Sequence, residues 1–164
     1  LRLAPLLRGG GQERRRRAGT ENVAGIAGFG AAAKAARETL EDAARLAGLR
    51  GQLEREILAV MPEATIAGAA TARLPNTSCI VVPGASAETQ VIRFDLAGIA
   101  VSSGSACSSG KVGKSHVLQA MGLGDLAGSA IRVSLGWNTI EAEVAHFVAA
   151  FAMIYGTGAS RSVA

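Results

Sequence analysis

The sequence predicts a mixed α/β chain in which helices cover a small sheet, an α+β layer. Three observations predict it. Apolar residues recur at helical spacing towards both ends of the chain. Between those stretches lie short apolar runs bounded by proline or glycine. Alanine and glycine, 33 and 21 of 164 residues, make up a third of the chain, whereas aromatic residues are 4%. The core is therefore built from small side chains in close contact. The length suits one domain.

The elements follow in order. Residues 1–21 read as loop, with Pro5, the run Gly9-Gly10-Gly11, four consecutive arginines and Gly19-Thr20. A long helical stretch starts at Asn22, capped by Thr20 or Asn22, with Val23, Ile26, Phe29 and Ala33 at helical spacing. Gly25, Gly28 and Gly30 leave room for another backbone, Gly48 and Gly51 are expected to interrupt or kink the helix, and Pro62 follows its end. Residues 64–67 and 77–82 read as strands, the second bounded by Pro75 and Pro83. Ser86 caps a helix over 87–97 that stops at Gly98. A short buried strand over 99–102 runs into a loop, 102–111, of almost nothing but tiny residues. Ser115 caps a short helix ending at Gly122, and 130–135 is another strand. Asn138 or Thr139 caps the last helix, whose apolar face is Ile140, Val144, Phe147, Val148, Phe151 and Ile154. The tail from Gly156 is expected to fray.

Charge is unevenly distributed. The net charge is +4, but residues 1–17 hold six arginines against Glu13, giving +5, and the rest of the chain sums to −1. A nucleic-acid reader spreads basic residues over a surface, often with stacking aromatics; one local run, with one Trp and one Tyr far downstream, argues for no nucleic acid. No apolar run approaches the roughly 20 residues that span a bilayer, so no membrane is expected. The basic N-terminus lacks the apolar stretch of a signal peptide, which points to a cytoplasmic protein. Because the chain starts at Leu1 and not Met, it is expected to be part of something larger.

The chemistry concentrates on few residues. Two cysteines, Cys79 and Cys107, make neither a disulfide framework nor a tetrahedral zinc site, and His116 and His146 stand at no ligand spacing from them. No metal site is expected within the chain alone. Cys79 alternates with apolar residues in a strand and reads as buried filler. Cys107 is flanked by Ala106 and Ser108 in a Gly/Ser loop that leaves sulfur accessible; Lys111, Lys114 and His116 nearby favour the thiolate. On spacing alone, a spectator cysteine in a linker loop is the favoured reading. The loop is not a phosphate-binding P-loop, since five residues separate Gly104 from Gly110 where four are needed and Val112 follows Lys111. The fingerprint-like run from Gly28 to Ala33 lies inside a helix and reads as packing. Arg132 sits between Ile131 and Val133 in a predicted strand, where it either holds a carboxylate bidentately or faces water from an edge.

Three motifs, taken together, resemble the cysteine desulfurases, the NifS/IscS-like branch of the class V pyridoxal-phosphate enzymes. The first is Gly10-Gly11-Gln12-Glu13-Arg14 followed by Arg17-Ala18-Gly19-Thr20-Glu21-Asn22. The second is the run from Val101 through Cys107 to Gly110, then Ser115-His116-Val117-Leu118 and Met121-Gly122-Leu123. The third is Ile131-Arg132-Val133-Ser134-Leu135-Gly136 before Asn138-Thr139. The resemblance covers nearly all of this chain but only the C-terminal part of the family's length. It implies the C-terminal domain of a fold-type I enzyme, with 1–21 the last loop of the large domain, 22–155 a connecting helix and small domain, and 156–164 a tail.

By the same resemblance, Cys107 is the catalytic nucleophile that takes sulfur from L-cysteine as a persulfide while alanine leaves. Arg132 grips the substrate carboxylate. Thr20 reaches the phosphate of pyridoxal 5'-phosphate across a homodimer interface. The sulfur goes to an iron–sulfur scaffold or another sulfur-acceptor protein, with which Cys107 is a candidate cluster ligand. The Schiff-base lysine would precede Leu1, and Lys34, Lys111 and Lys114 match no such position, so the chain alone is expected to be inactive. Two departures stand out: Arg15 replaces a usual glycine, straining the loop if that position needs positive φ, and Lys114 replaces a usual proline before Ser115. The alternatives are a related selenocysteine or cystine lyase, and a non-catalytic dimerisation or docking module derived from the family.

Overall fold

The computed structural model describes residues 4–103 and 114–156, so Cys107 and its loop, and the tail beyond Gly156, lie outside the described residues. The chain divides into two units, Leu1–Glu41 and Asp42–Ala164.

In the first unit a single turn, α1 (Gln12–Arg15), is wound the unusual way: Glu13, Arg14 and Arg15 have φ of 50°, 54° and 62°. The Ala18 N–H returns to the Leu7 carbonyl at 3.1 Å. Helix α2 (Val23–Glu38) starts where the Asn22 side chain accepts from the Gly25 N–H at 3.1 Å. None of its residues is buried, and Val23, Ile26 and Phe29 are open to solvent.

The helical stretch breaks at residues 39–41 and not at Gly48 or Gly51, which the sequence nominated. The Thr39 hydroxyl donates to the carbonyls of Ala35 and Ala36, terminating α2. A new helix, α3 (Asp42–Val60), then begins with an acid in its first turn and runs through both glycines. Glycine costs about 1 kcal/mol each in a helix interior; burial of Leu49, Leu53 and Ile57, one turn apart on the core face, outweighs it.

The second unit is a four-stranded antiparallel sheet of order β1-β2-β4-β3, with β1 (Thr65–Ile66), β2 (Thr77–Val81), β3 (Ser102–Ser103) and β4 (Ala130–Ser134). One face carries Ile66, Ile80, Ile131 and Val133 into a core shared with α3, α4 (Ala87–Leu96) and α6 (Glu141–Tyr155). Phe94 stacks on Phe147 with centroids 5.0 Å apart, and Phe151 and Tyr155 continue the aromatic row. Helix α4 is capped by Ser86 and ends at Gly98, whose φ of +75° only glycine adopts cheaply. The last helix starts later than predicted: the N-cap is Ile140, whose N–H donates to Glu143 at 3.0 Å, while Thr139 accepts from Gly136. Ile140 is accordingly exposed and Ala150 joins the buried face.

A shorter helix, α5 (His116–Ala120), and a 3-10 turn (Gly124–Gly128) cover part of the opposite sheet face, where Leu118 and Ala127 pack on Val81 and Ala130.

Candidate functional site

The remainder of that opposite face is polar and open. Alternation along β4 puts Arg132 and Ser134 on it, both exposed, while Ile131 and Val133 go to the core. Register places Cys79 of β2 opposite Arg132, Thr77 opposite Ser134, and Ser102 of β3 opposite Arg132 from the other side. Arg132 is therefore not on an edge strand: β4 is flanked on both sides, and the guanidinium stands over the sheet with no hydrogen bond or ion pair among the described residues.

Cys79 is half-buried at the border of this polar patch and the small apolar cluster, not sealed in the main core. Burial pushes its thiol pKa up, and the Arg132 charge pulls it partly back. Beside it lies a cavity of about 210 Å³ lined by Ala67, Arg73, Leu74, Thr77 and Cys79.

The segment that carries Cys107 leaves the described structure after Ser103, at the end of β3, and returns at Lys114. Both anchors are tied. Ser103 pairs with Ile131 in the sheet, and the Ser115 N–H donates to the Ala127 carbonyl at 3.1 Å while its hydroxyl caps α5. Lys114, where a proline was expected, reaches Asp125 with Nζ–Oδ1 at 2.6 Å and holds that carboxyl below its ordinary range. Of the cations proposed to favour the thiolate, Lys114 thus has an acidic partner of its own.

Thr20 belongs to the first unit. It is exposed, its carbonyl accepts from Arg17 Nη1 at 2.8 Å, and its hydroxyl has no partner among the described residues. Gly19 before it has φ of +93°, and Arg15 indeed takes the positive φ at which glycine was expected.

Sequence reasoning missed the network that braces this region. Glu54 on α3 holds Arg73 bidentately at 2.7 and 2.9 Å, with Arg50 at 3.8 Å, and Arg50 also reaches the Leu74 carbonyl. Burial raises the Glu54 carboxyl, but the Arg73 hydrogen bonds, the neighbouring Ser78 hydroxyl and both arginine charges leave it below its ordinary value. The only sequence signal was the i, i+4 spacing of Arg50 and Glu54.

A fold of this kind, a small antiparallel sheet with three long helices on one face and an arginine open on the other beside a short helix, has clear relatives. The chain belongs to the class-V aminotransferase family, whose model matches residues 7–147. It is 49% identical over 141 residues to a cysteine desulfurase of Cereibacter sphaeroides, across 85% of this chain and 36% of that protein. It is 46% identical to the cysteine desulfurase NifS of Azotobacter vinelandii, across 87% and 36%. The structure of a NifS-like protein from Rickettsia africae matches with a TM-score of 0.79 at 39% identity, across 94% of this chain and 41% of that one. The chain thus spans little more than a third of the length of these relatives.

The described residues fit such a family's pyridoxal-phosphate cofactor only in part. The open Thr20 hydroxyl suits a phosphate, but of the two described lysines, Lys34 faces Glu38 on exposed α2 and Lys114 is held by Asp125. Neither is placed to form a Schiff base.

Proposed function

We propose that this chain is the C-terminal part of a pyridoxal-phosphate-dependent cysteine desulfurase. The whole protein removes sulfur from L-cysteine, the sulfur joins the Cys107 thiolate as a persulfide, and alanine leaves. The relatives named cysteine desulfurase support this reading. The observation that carries it is the Arg132 guanidinium on an interior strand, exposed and without a hydrogen bond or ion pair among the described residues, in register with Ser102, where the cysteine-bearing segment departs. A cation kept open there is suited to a substrate carboxylate, because planar guanidinium and carboxylate groups bond bidentately.

Chain length supports the pairing of roles. Cys107 is four residues from Ser103, so covalent geometry keeps its Cα within about 14 Å of that anchor. In this reading Cys107 receives sulfur, Arg132 orients the substrate, and Thr20 donates to the cofactor phosphate across a homodimer interface. The cofactor's lysine lies outside this chain, so the chain alone does not turn over. An iron–sulfur scaffold or other acceptor protein takes the sulfur in the cytoplasm.

The test is to incubate the whole protein with L-cysteine and analyse its peptides by mass. The Cys107 peptide is expected to gain one sulfur atom, lost again on reduction, and the Cys79 peptide to gain none. Alanine release with an unmodified Cys107 would overturn the assignment and favour a related lyase.

A further inference from the structure

In the second unit, Met61 just after α3, the connection from β2 into α4, and the last turn of α6 line a groove of about 450 Å³. Its walls include Met61, Val82, Pro83 and Ile154, all apolar, and no acidic side chain lines it. Four polar side chains line it: Ser86 and Thr89, whose hydroxyls bond to each other, Arg93 from α4 and Tyr155 from α6. Tyr155 Oη is buried and has no hydrogen-bond partner among the described residues. Arg93 is exposed and, among the described residues, forms no hydrogen bond or ion pair through its side chain. Burial pushes the Tyr155 pKa up to about 12 against the nearby Arg93 charge, so the phenol remains a donor at physiological pH.

Donors without acceptors are costly to keep in a folded protein, and here a cation and an unsatisfied hydroxyl converge over an apolar floor. We propose that this groove binds a small aliphatic carboxylate. The carboxylate accepts from Arg93 and from Tyr155 Oη, and the aliphatic body lies on Met61, Val82 and Ile154. Such a division, an apolar wall with a few converging polar groups, is what ligand sites share. One guanidinium and one phenol match a monoanion; they leave a phosphate dianion short of both charge and donors. The inference uses none of the residues assigned to sulfur transfer and stands or falls apart from that reading.

The test is an NMR titration of the intact chain with sodium hexanoate, with 1-hexanol and inorganic phosphate as comparison probes. Hexanoate is expected to shift the Arg93 Nε–H signal and the amides of residues 84–89 and 155 saturably, whereas hexanol and phosphate do so more weakly. Arg93→Gln should weaken hexanoate binding about tenfold, the loss of a charge-assisted bond, without changing the response to hexanol. Tyr155→Phe, which keeps the ring packed on Phe151, should weaken it by a smaller factor. Hexanoate shifts that do not saturate, that survive Arg93→Gln unchanged, or that phosphate reproduces at equal concentration would each overturn the proposal.

Discussion

Arg132 and Arg15 are two arginines in costly positions, and the costs differ in kind. Arg132 is a cation without a partner among the described residues on an interior strand, its charge kept solvated by exposure, and it is the residue proposed to hold the substrate carboxylate. In the whole protein Arg132→Ala is expected to weaken L-cysteine binding by about 1.5–3 kcal/mol, the worth of a charged hydrogen bond. An unchanged apparent affinity would remove it from the site. Arg15 bears its cost in the backbone, since a left-handed φ of 62° disfavours a side-chain-bearing residue by about 1–2 kcal/mol. Arg15→Gly should therefore firm the turn, and the amides of Arg16 and Ala18, which bond to Glu13 and Leu7, should exchange more slowly. Faster exchange in that variant would show that the turn is not strained. The strain was foreseeable from the sequence only through the family resemblance; no local rule demands positive φ at an Arg-Arg-Arg run.

At the scale of elements, α3 organises the second unit twice over. Its apolar stripe of Leu49, Leu53 and Ile57 seats it on the core, and Glu54, between those residues, ties the loop before β2 through Arg73. The Glu54 pKa is depressed below its ordinary 4.5. The stability it contributes is full above that value and is lost as pH falls through the lower folded pKa. Glu54→Gln should thus be less stable than the parent near neutrality, with the two converging in strong acid. Unfolding curves that stay parallel at all pH would deny Glu54 this role. The aromatic row of α6 was legible because Val144, Phe147 and Phe151 repeat at helical spacing. The break between α2 and α3 was not, because glycine propensity pointed to Gly48 and Gly51 while packing on both sides of them prevailed. Nor was the start of α6, where a side chain three residues inside the helix does the capping expected of Asn138 or Thr139.

The whole molecule is uneven in what it buries. The second unit has one core between sheet and helices, whereas α2 in the first buries none of its residues. A 16-residue helix without tertiary packing is marginal in water, so amide exchange in α2 of this chain should be far faster than in α3 and α6, which line the core. Equal protection of α2 and α6 would contradict that. Val23, Ile26 and Phe29 have the spacing of a packing face, and Gly25 and Gly28 suit close approach, so the sequence identified a face that the described residues leave uncovered.

The sequence by itself determined the class of fold, the strands and capped helices in their order, and the family, because local periodicity, caps and a dense motif are properties of neighbouring residues. Only the tertiary structure decided that Arg132 lies on an interior strand beside Cys79, that Lys114 is spent on Asp125, that Glu54 clamps Arg73, and that Arg93 meets Tyr155. Each of those facts joins residues at least 11 positions apart, and the pairing of distant side chains depends on strand register and helix packing. No local pattern encodes either.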